Sequence, residues 1–264
     1  MRRADYTLKT LCKGLDVLET LADDRDPLTL TALAERLREA TPVVFRILRT
    51  LEERGYVEQD ASSKRWHPGF RAWEIGSRVV NRTGVVEAAR PLLKTLTEFT
   101  EETSYLAVVR GTDTVYLDTV VGLEPLRVYA EPGFRVPPYL TASGKAILAF
   151  HDGGLLDRVL RASLKKQTPL TITKPAALRA RLDEIRRTGV SINRGERRTD
   201  VSAVAAPLFD RAGDCVAAMG VSGPSQRFTG DRLERLIESV RKAAHEASAR
   251  LGYVSPEGRG RRGW

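Results

Sequence analysis

Few side chains in this 264-residue sequence are spaced for chemistry. The three histidines, His67, His151 and His245, stand far apart. None forms a pair at metal-ligand spacing or sits beside a nucleophile it could activate, so they read as solvated or locally bonded. Cys-x-x-Cys, His-Glu-x-x-His and Gly-x-Ser-x-Gly are all missing. The two cysteines, Cys12 and Cys215, each fall in an apolar pattern and read as buried free thiols, not a disulfide framework. Ser143-Gly144-Lys145 has the form of the end of a phosphate-binding loop. However, Tyr139 stands where the first glycine belongs, and Ala146, not a hydroxyl residue, follows the lysine. That excludes a nucleotide site. What remains at Thr141-Ala142-Ser143 is plainer. Small hydroxyl residues opening a helix leave backbone N–H groups and a positive dipole end that would stabilise a carboxylate. Ordinary N-capping fits the same residues. The expectation is a binding protein with no catalytic centre, metal or cofactor. An enzyme with an N-terminal interaction module is the main rival, and a protein-binding adaptor is the third reading.

The elements that could position a binding surface are clearest from Leu28 to Val57. Thr31 can cap a short helix in which Leu30, Leu33, Ala34 and Leu37 recur at helical spacing. The pattern breaks at Glu39-Ala40. Thr41-Pro42 restarts it, with a hydroxyl at the cap and a proline at the first helical position. Val44, Ile47, Leu48 and Leu51 form the inward stripe of this second helix, while Val43, Arg46, Arg49 and Thr50 lie on other faces. Gly55 suits the stop. Tyr56–Gln59 can enter a strand and Arg65–His67 can return, around the polar turn 60–64. Two short helices with a tight turn suit a DNA major groove. Spacing alone fits a pair of core helices equally well. The hairpin that follows tips the balance, because it forms a wing whose tip presents Lys64 and Arg65 to phosphate.

Net charge is +9, which suits an anionic partner. Residues 1–75 nevertheless hold 13 basic and 13 acidic residues. Binding would therefore depend on a local basic face built from Arg36, Arg38, Arg46 and Arg49. The remaining excess fits an arginine-rich composition as well as any function. No run approaches the roughly 20 apolar residues of a spanning helix, and no signal-peptide pattern opens the chain. A cytoplasmic location is expected.

Several stretches together resemble the IclR family of bacterial transcriptional regulators. These are Leu11-Cys12-Lys13-Gly14-Leu15-Asp16-Val17-Leu18, Leu33-Ala34-Glu35-Arg36-Leu37, the run from Arg46 to Val57, and Val221-Ser222-Gly223-Pro224 followed by Arg227-Phe228. The resemblance spans about residues 9–252. It implies an α+β chain: a winged helix-turn-helix over 8–68 after a polar arm at 1–7, a linker helix within 69–84, a GAF-like antiparallel effector-binding domain over 85–252, and a disordered basic tail at 253–264. It also implies double-stranded DNA carrying a palindromic operator as partner, a homodimer or homotetramer, and a small organic acid or aromatic effector. DNA-facing candidates are Arg38, Thr41, Pro42, Val43, Phe45, Arg46, Arg49, Lys64 and Arg65. Phe45 stands where many relatives have histidine or tyrosine, and Pro42 where they have serine or threonine. Base reading thereby shifts toward apolar contact, for example with thymine methyl groups. Arg46 looks partly structural in the family.

Around these regions the pattern gives a first helix marked by Leu8, Leu11, Leu15, Leu18 and Leu21, expected to pack across the helix-turn-helix. Phe70 to Asn81 is a linker helix, which in the family pairs protomers and from sequence alone could equally pack on its own chain. Val85 to Thr100 is helical, with Pro91 marking a kink or a new start. Strands are expected at 104–110 and 115–121, at 127–131, and at 201–209 and 215–222. Helices are expected at 144–150, 154–160, 176–188 and 231–251. Strands that come as hairpins argue an antiparallel sheet. Carried over residue by residue, the resemblance places the effector among Thr141, Ala142, Ser143, Asn193, Gly220 and Ser222, with Ala203 as an apolar wall. Asn193 stands where some relatives have aspartate, which favours a carboxylate or hydroxyl ligand. Lys145 and Glu196 are read as surface or structural charges more readily than as pocket-orienting ones.

Overall fold

A computed structural model describes residues 7–24, 26–81, 84–128, 131–151 and 154–254, with only the backbone at Ser77 and Val79–Asn81. Arg2 and Arg3 of the arm, positions 129–130 of the strand expected at 127–131, and positions 255–264 of the tail lie outside the described residues. The chain divides into two compact units, residues 1–82 and 83–264.

The first unit runs α1 (Lys9–Asp23), α2 (Leu30–Leu37), α3 (Thr41–Glu53), β1 (Val57–Gln59), β2 (Trp66–Pro68) and α4 (Phe70–Asn81). Its core gathers Val17 and Leu21 of α1, Leu33 and Ala34 of α2, Val44 and Leu48 of α3, and Val57 and Trp66 of the wing. Leu28 and Trp66 exchange backbone hydrogen bonds of 2.9 and 2.7 Å. The wing is thus stitched to the segment entering α2. Trp66 is 1% exposed, and a truncation there costs about 3–5 kcal/mol by loss of apolar burial and cavity formation.

Three local details differ from the sequence reading. The hydroxyl that caps α2 is that of Thr29, which accepts from the Ala32 N–H, and not that of Thr31. α3 is capped by Ala40 without a side-chain bond, and Thr41 is already helical. In α1 only the C-terminal half of the leucine stripe turns inward; Leu8, Leu11 and Leu15 are exposed. Helical spacing puts apolar residues on one face, but the length of that face exceeds what α2 and α3 can cover. Phe70, Trp73 and Ile75 of α4 are likewise exposed.

The second unit runs α5 (Val85–Thr100), β3 (Thr103–Arg110), β4 (Asp113–Val120), β5 (Arg135–Val136), α6 (Ala142–Phe150), α7 (Leu155–Arg161), α8 (Pro175–Thr188), β6 (Ser191–Arg194), β7 (Val201–Phe209), β8 (Cys215–Pro224) and α9 (Gly230–Arg250). Its six strands lie in the order β5-β4-β3-β8-β7-β6, and every pairing is antiparallel. Strand alternation sends Leu106, Val108, Val204, Ala206, Leu208, Ala217, Met219 and Val221 toward α5 and α9. Ala205 and Ala218 pack instead with α6 and α8. Both faces of the sheet are therefore covered, giving three layers. Pro91 lies inside an uninterrupted α5. Of the strand expected at 127–131, the described residues 127, 128 and 131 are not in a strand, and the two-residue β5 at 135–136 pairs Val136 with Thr114. The sequence also hides β6, whose Ser191-Ile-Asn-Arg pairs antiparallel with the Ser202–Ala205 stretch of β7. A four-residue run has too few periods to declare itself.

Candidate functional site

Eight of the nine DNA-facing candidates are exposed on the first unit. Val44 and Leu48 anchor α3 inward, so Thr41, Pro42, Phe45, Arg46 and Arg49 project outward one and two turns apart. Val43 sits half-buried at the edge of this face. Phe45 is 46% exposed, which the core does not require. Arg38 occupies the left-handed backbone region at φ 52°, in the turn between α2 and α3. There its N–H closes the end of α2 on Ala34 and Glu35. Arg49 is held by Glu52 at 2.5 Å, whereas Arg38, Arg46 and Lys64 make no ion pair among the described residues. Arg36, counted in the basic face, is paired with Asp24.

The wing tip is built before any partner arrives. One Asp60 oxygen accepts from both the N–H and the hydroxyl of Ser62 and of Ser63, at 2.6–3.2 Å. These donors hold the Asp60 carboxyl well below the ordinary range. Lys64 then takes φ 57°, and Arg65 donates to the Pro27 carbonyl at 3.1 Å. Arg65 thus steadies the base of the wing, and Lys64 stands at its tip without an ion pair among the described residues.

In the second unit a cavity of about 130 Å³ lies where the N-terminus of α6 meets the sheet. Thr141, Ala142, Asn193, Ala203 and Ser222 line it. Ser143 and Gly220 do not. Gly220 is paired with Tyr105 in β3 and Ala205 in β7, and a side chain there would overlap the Val204 carbonyl. Its glycine is needed for strand packing. Ser143 is fully buried and its hydroxyl makes no hydrogen bond of ordinary geometry. It lies close enough to bear on the Tyr105 and Tyr116 phenols, which do line the cavity. Those rings meet edge to face at 5.4 Å. Burial raises the proton affinity of both phenols, so they stay neutral donors at ordinary pH.

The cavity wall is tied together by buried polar bonds. Thr141 Oγ1 accepts from the Gly144 N–H at 2.9 Å and so caps α6. Asn193 Nδ2 donates to the Leu140 carbonyl at 2.8 Å, and its Oδ1 accepts from the Glu196 N–H at 3.2 Å. Lys145, one turn into α6, is 0% exposed and ion-paired with Glu196. Neither is a surface charge. They pin α6 to the turn that follows β6. Burial is the main cause that pushes the Lys145 ammonium down to about 8, with Glu196 acting against it. Thr171 Oγ1 donates to the Glu196 carbonyl at 2.6 Å and Thr168 Oγ1 to the Gly195 carbonyl at 2.7 Å. The wall residues that sequence reasoning missed are Tyr105, Tyr116, Val128, Leu140, Arg197, Arg198 and Val201. Alternation within β3 and β4 puts the tyrosines on one face, but only the register across β3, β8 and β7 brings that face to α6.

Elsewhere the expected chemistry is bland. His151 and His245 are exposed, and His67 has its ring nitrogen 3.1 Å from the Pro68 carbonyl. Cys215 is a buried thiol, pushed up to about 12 by burial; Cys12 is only partly buried. Among the described residues no helix is long and apolar enough to cross a membrane.

Comparison with known proteins gives one answer for both units. Residues 10–61 match the IclR helix-turn-helix domain, and residues 77–249 match the C-terminal domain of bacterial transcriptional regulator IclR. The chain is 38% identical over 242 residues to the HTH-type transcriptional regulator BhcR of Paracoccus denitrificans, covering 91% of this chain and 86% of that one. It is 30% identical to the HTH-type transcriptional repressor AllR of Klebsiella pneumoniae, covering 92% and 90%. The crystal structure of the Thermotoga maritima IclR superposes with a TM-score of 0.79 at 31% identity, covering 94% of this chain and all of that one.

Proposed function

The chain belongs to the IclR family of bacterial transcriptional regulators, and on that premise we propose that α3 reads a palindromic operator while a small organic acid or aromatic molecule in the α6 cavity controls the affinity. Val43, Phe45 and Arg49 contact base edges. Thr41, Pro42 and Arg46 flank them, while Arg38, Lys64 and Arg65 meet phosphate. The observation that carries this reading is the α3 face. Phe45 and Arg49 lie outward, one turn apart, on a helix anchored by Val44 and Leu48. An exposed phenylalanine beside arginines has no use in the core and suits thymine methyls and guanine edges. The protein acts as a homodimer or homotetramer in the cytoplasm, and two-fold symmetry of the pair gives the palindrome.

The effector sits against Thr141 and Ala142, where α6 offers its free N–H groups and positive dipole end to a carboxylate. Ala203 supplies an apolar wall, and Asn193 and Ser222 supply neutral polar contacts. Ser143 and Gly220 shape the site from behind it. The ligand shifts a population of DNA-binding states by its differential affinity for them. A combined V43A/F45A/R49A variant tests the DNA half. Affinity for a selected operator should fall to the level of unselected duplex, with thermal unfolding unchanged. Retained operator affinity would contradict it.

A further inference from the structure

We propose that the cavity selects short dicarboxylates, with Arg197 at its mouth reading the second carboxylate; this rests on the reading above that α6 receives the first. Two electropositive features face this one cavity. The inner is the N-terminus of α6 at Thr141 and Ala142. The outer is the Arg197 guanidinium, whose carbon lies 4.7 Å from the centroid of the Phe134 ring. Stacking on a ring face holds an arginine by its plane and leaves its N–H edges free to donate. Arg197 makes no ion pair among the described residues. Its neighbour Arg198 also lines the cavity but is committed to Asp200 at 2.7 and 3.2 Å.

Among the described residues the lining holds two arginines and neither aspartate nor glutamate. The adjacent Glu196 is consumed by Lys145. The fully buried Ser143 hydroxyl lies behind the lining, beside the Tyr105 and Tyr116 phenols, and these two phenols face the cavity as polar groups. At about 130 Å³ the cavity is well below the roughly 300 Å³ at which drug-sized pockets begin, so the ligand has only a short chain between its ends. Because α6 and Arg197 face the same small space, one such chain reaches both.

Calorimetric titration of the full chain with succinate and with butyrate, at constant ionic strength, tests this. The two probes share four carbons and differ in the second carboxylate. Wild-type protein should bind succinate at least tenfold more tightly, the scale of one hydrogen bond to a charged group of about 1.5 kcal/mol. The R197Q variant should bring succinate down to the butyrate level and leave butyrate unchanged. R197K should recover part of the difference. Equal affinity for the two probes in wild-type protein, or an equal loss of both in R197Q, overturns the dicarboxylate inference and leaves the anion site at α6 standing. Binding of neither probe overturns that anion site and the inference with it.

Discussion

The α3 surface and the α6 cavity, the two sites proposed above, position their side chains in opposite ways. On α3 the proposed DNA-facing side chains lie close together in sequence and, apart from the half-buried Val43, are exposed, and the core stripe behind them positions them. At α6 the wall is assembled from residues between Tyr105 and Ser222, and its polar groups are positioned by one another: Thr141 with Gly144, Asn193 with Leu140 and Glu196, Lys145 with Glu196. Substitutions on the first surface should therefore cost function and spare the fold. Substitutions in the second should cost both.

The largest effect expected from this contrast is at Lys145. Replacing it by methionine leaves Glu196 charged and buried without its partner, so urea unfolding should register a loss of about 3–5 kcal/mol. The double change K145M/E196Q should recover most of it. If K145M is neutral, the cavity wall is not held by this pair and the contrast fails. Next come the α3 side chains. F45A or R49A alone should cost about 1–3 kcal/mol in operator affinity, and each should change stability by less than about 0.5 kcal/mol as surface substitutions do. A large stability loss at Arg49 would put it on the structural side of the comparison.

A graded effect follows from pH. The Lys145 ammonium lies at about 8 in the folded chain against an ordinary 10.5. Between those values the unfolded chain binds more protons than the folded one, so this group's contribution to stability rises with pH across that window. Urea midpoints at pH 8 and 10 should show a rise in wild-type protein that is missing in K145M/E196Q. The smallest effect is at the wing. K64A should weaken binding to all duplexes alike and reduce the slope of log affinity against log salt by about 0.9. A loss confined to one sequence would make Lys64 a base reader.

The same contrast explains what could be read from the sequence. The helix-turn-helix, the wing and the hairpins β3–β4 and β7–β8 declare themselves through local periodicity and turn residues. Leu33, Val44 and Leu48 are core for the reason their spacing implies. The cap falls at Thr29, two residues before the expected Thr31, which shows how weakly a lone hydroxyl fixes a boundary. Of the cavity wall, the family resemblance reached Thr141, Ala142, Asn193, Ala203 and Ser222, at α6, β6, β7 and β8. Tyr105 and Tyr116 reach it through cross-strand register, and Arg197 through a turn that follows the unpatterned strand β6. From sequence Lys145 reads as a surface or a structural charge, since lysine is seldom buried without a partner, and it proves structural. Its burial depends on Glu196, 51 residues away, and no local pattern records that partnership.

Selection of bound fragments from randomised duplex DNA by the full chain tests the central claim most directly. The account predicts an enriched palindrome for wild-type protein and no enriched sequence for V43A/F45A/R49A. Enrichment of the same palindrome by both proteins, or of no sequence by wild-type protein with and without succinate, would contradict α3 as the surface that reads DNA.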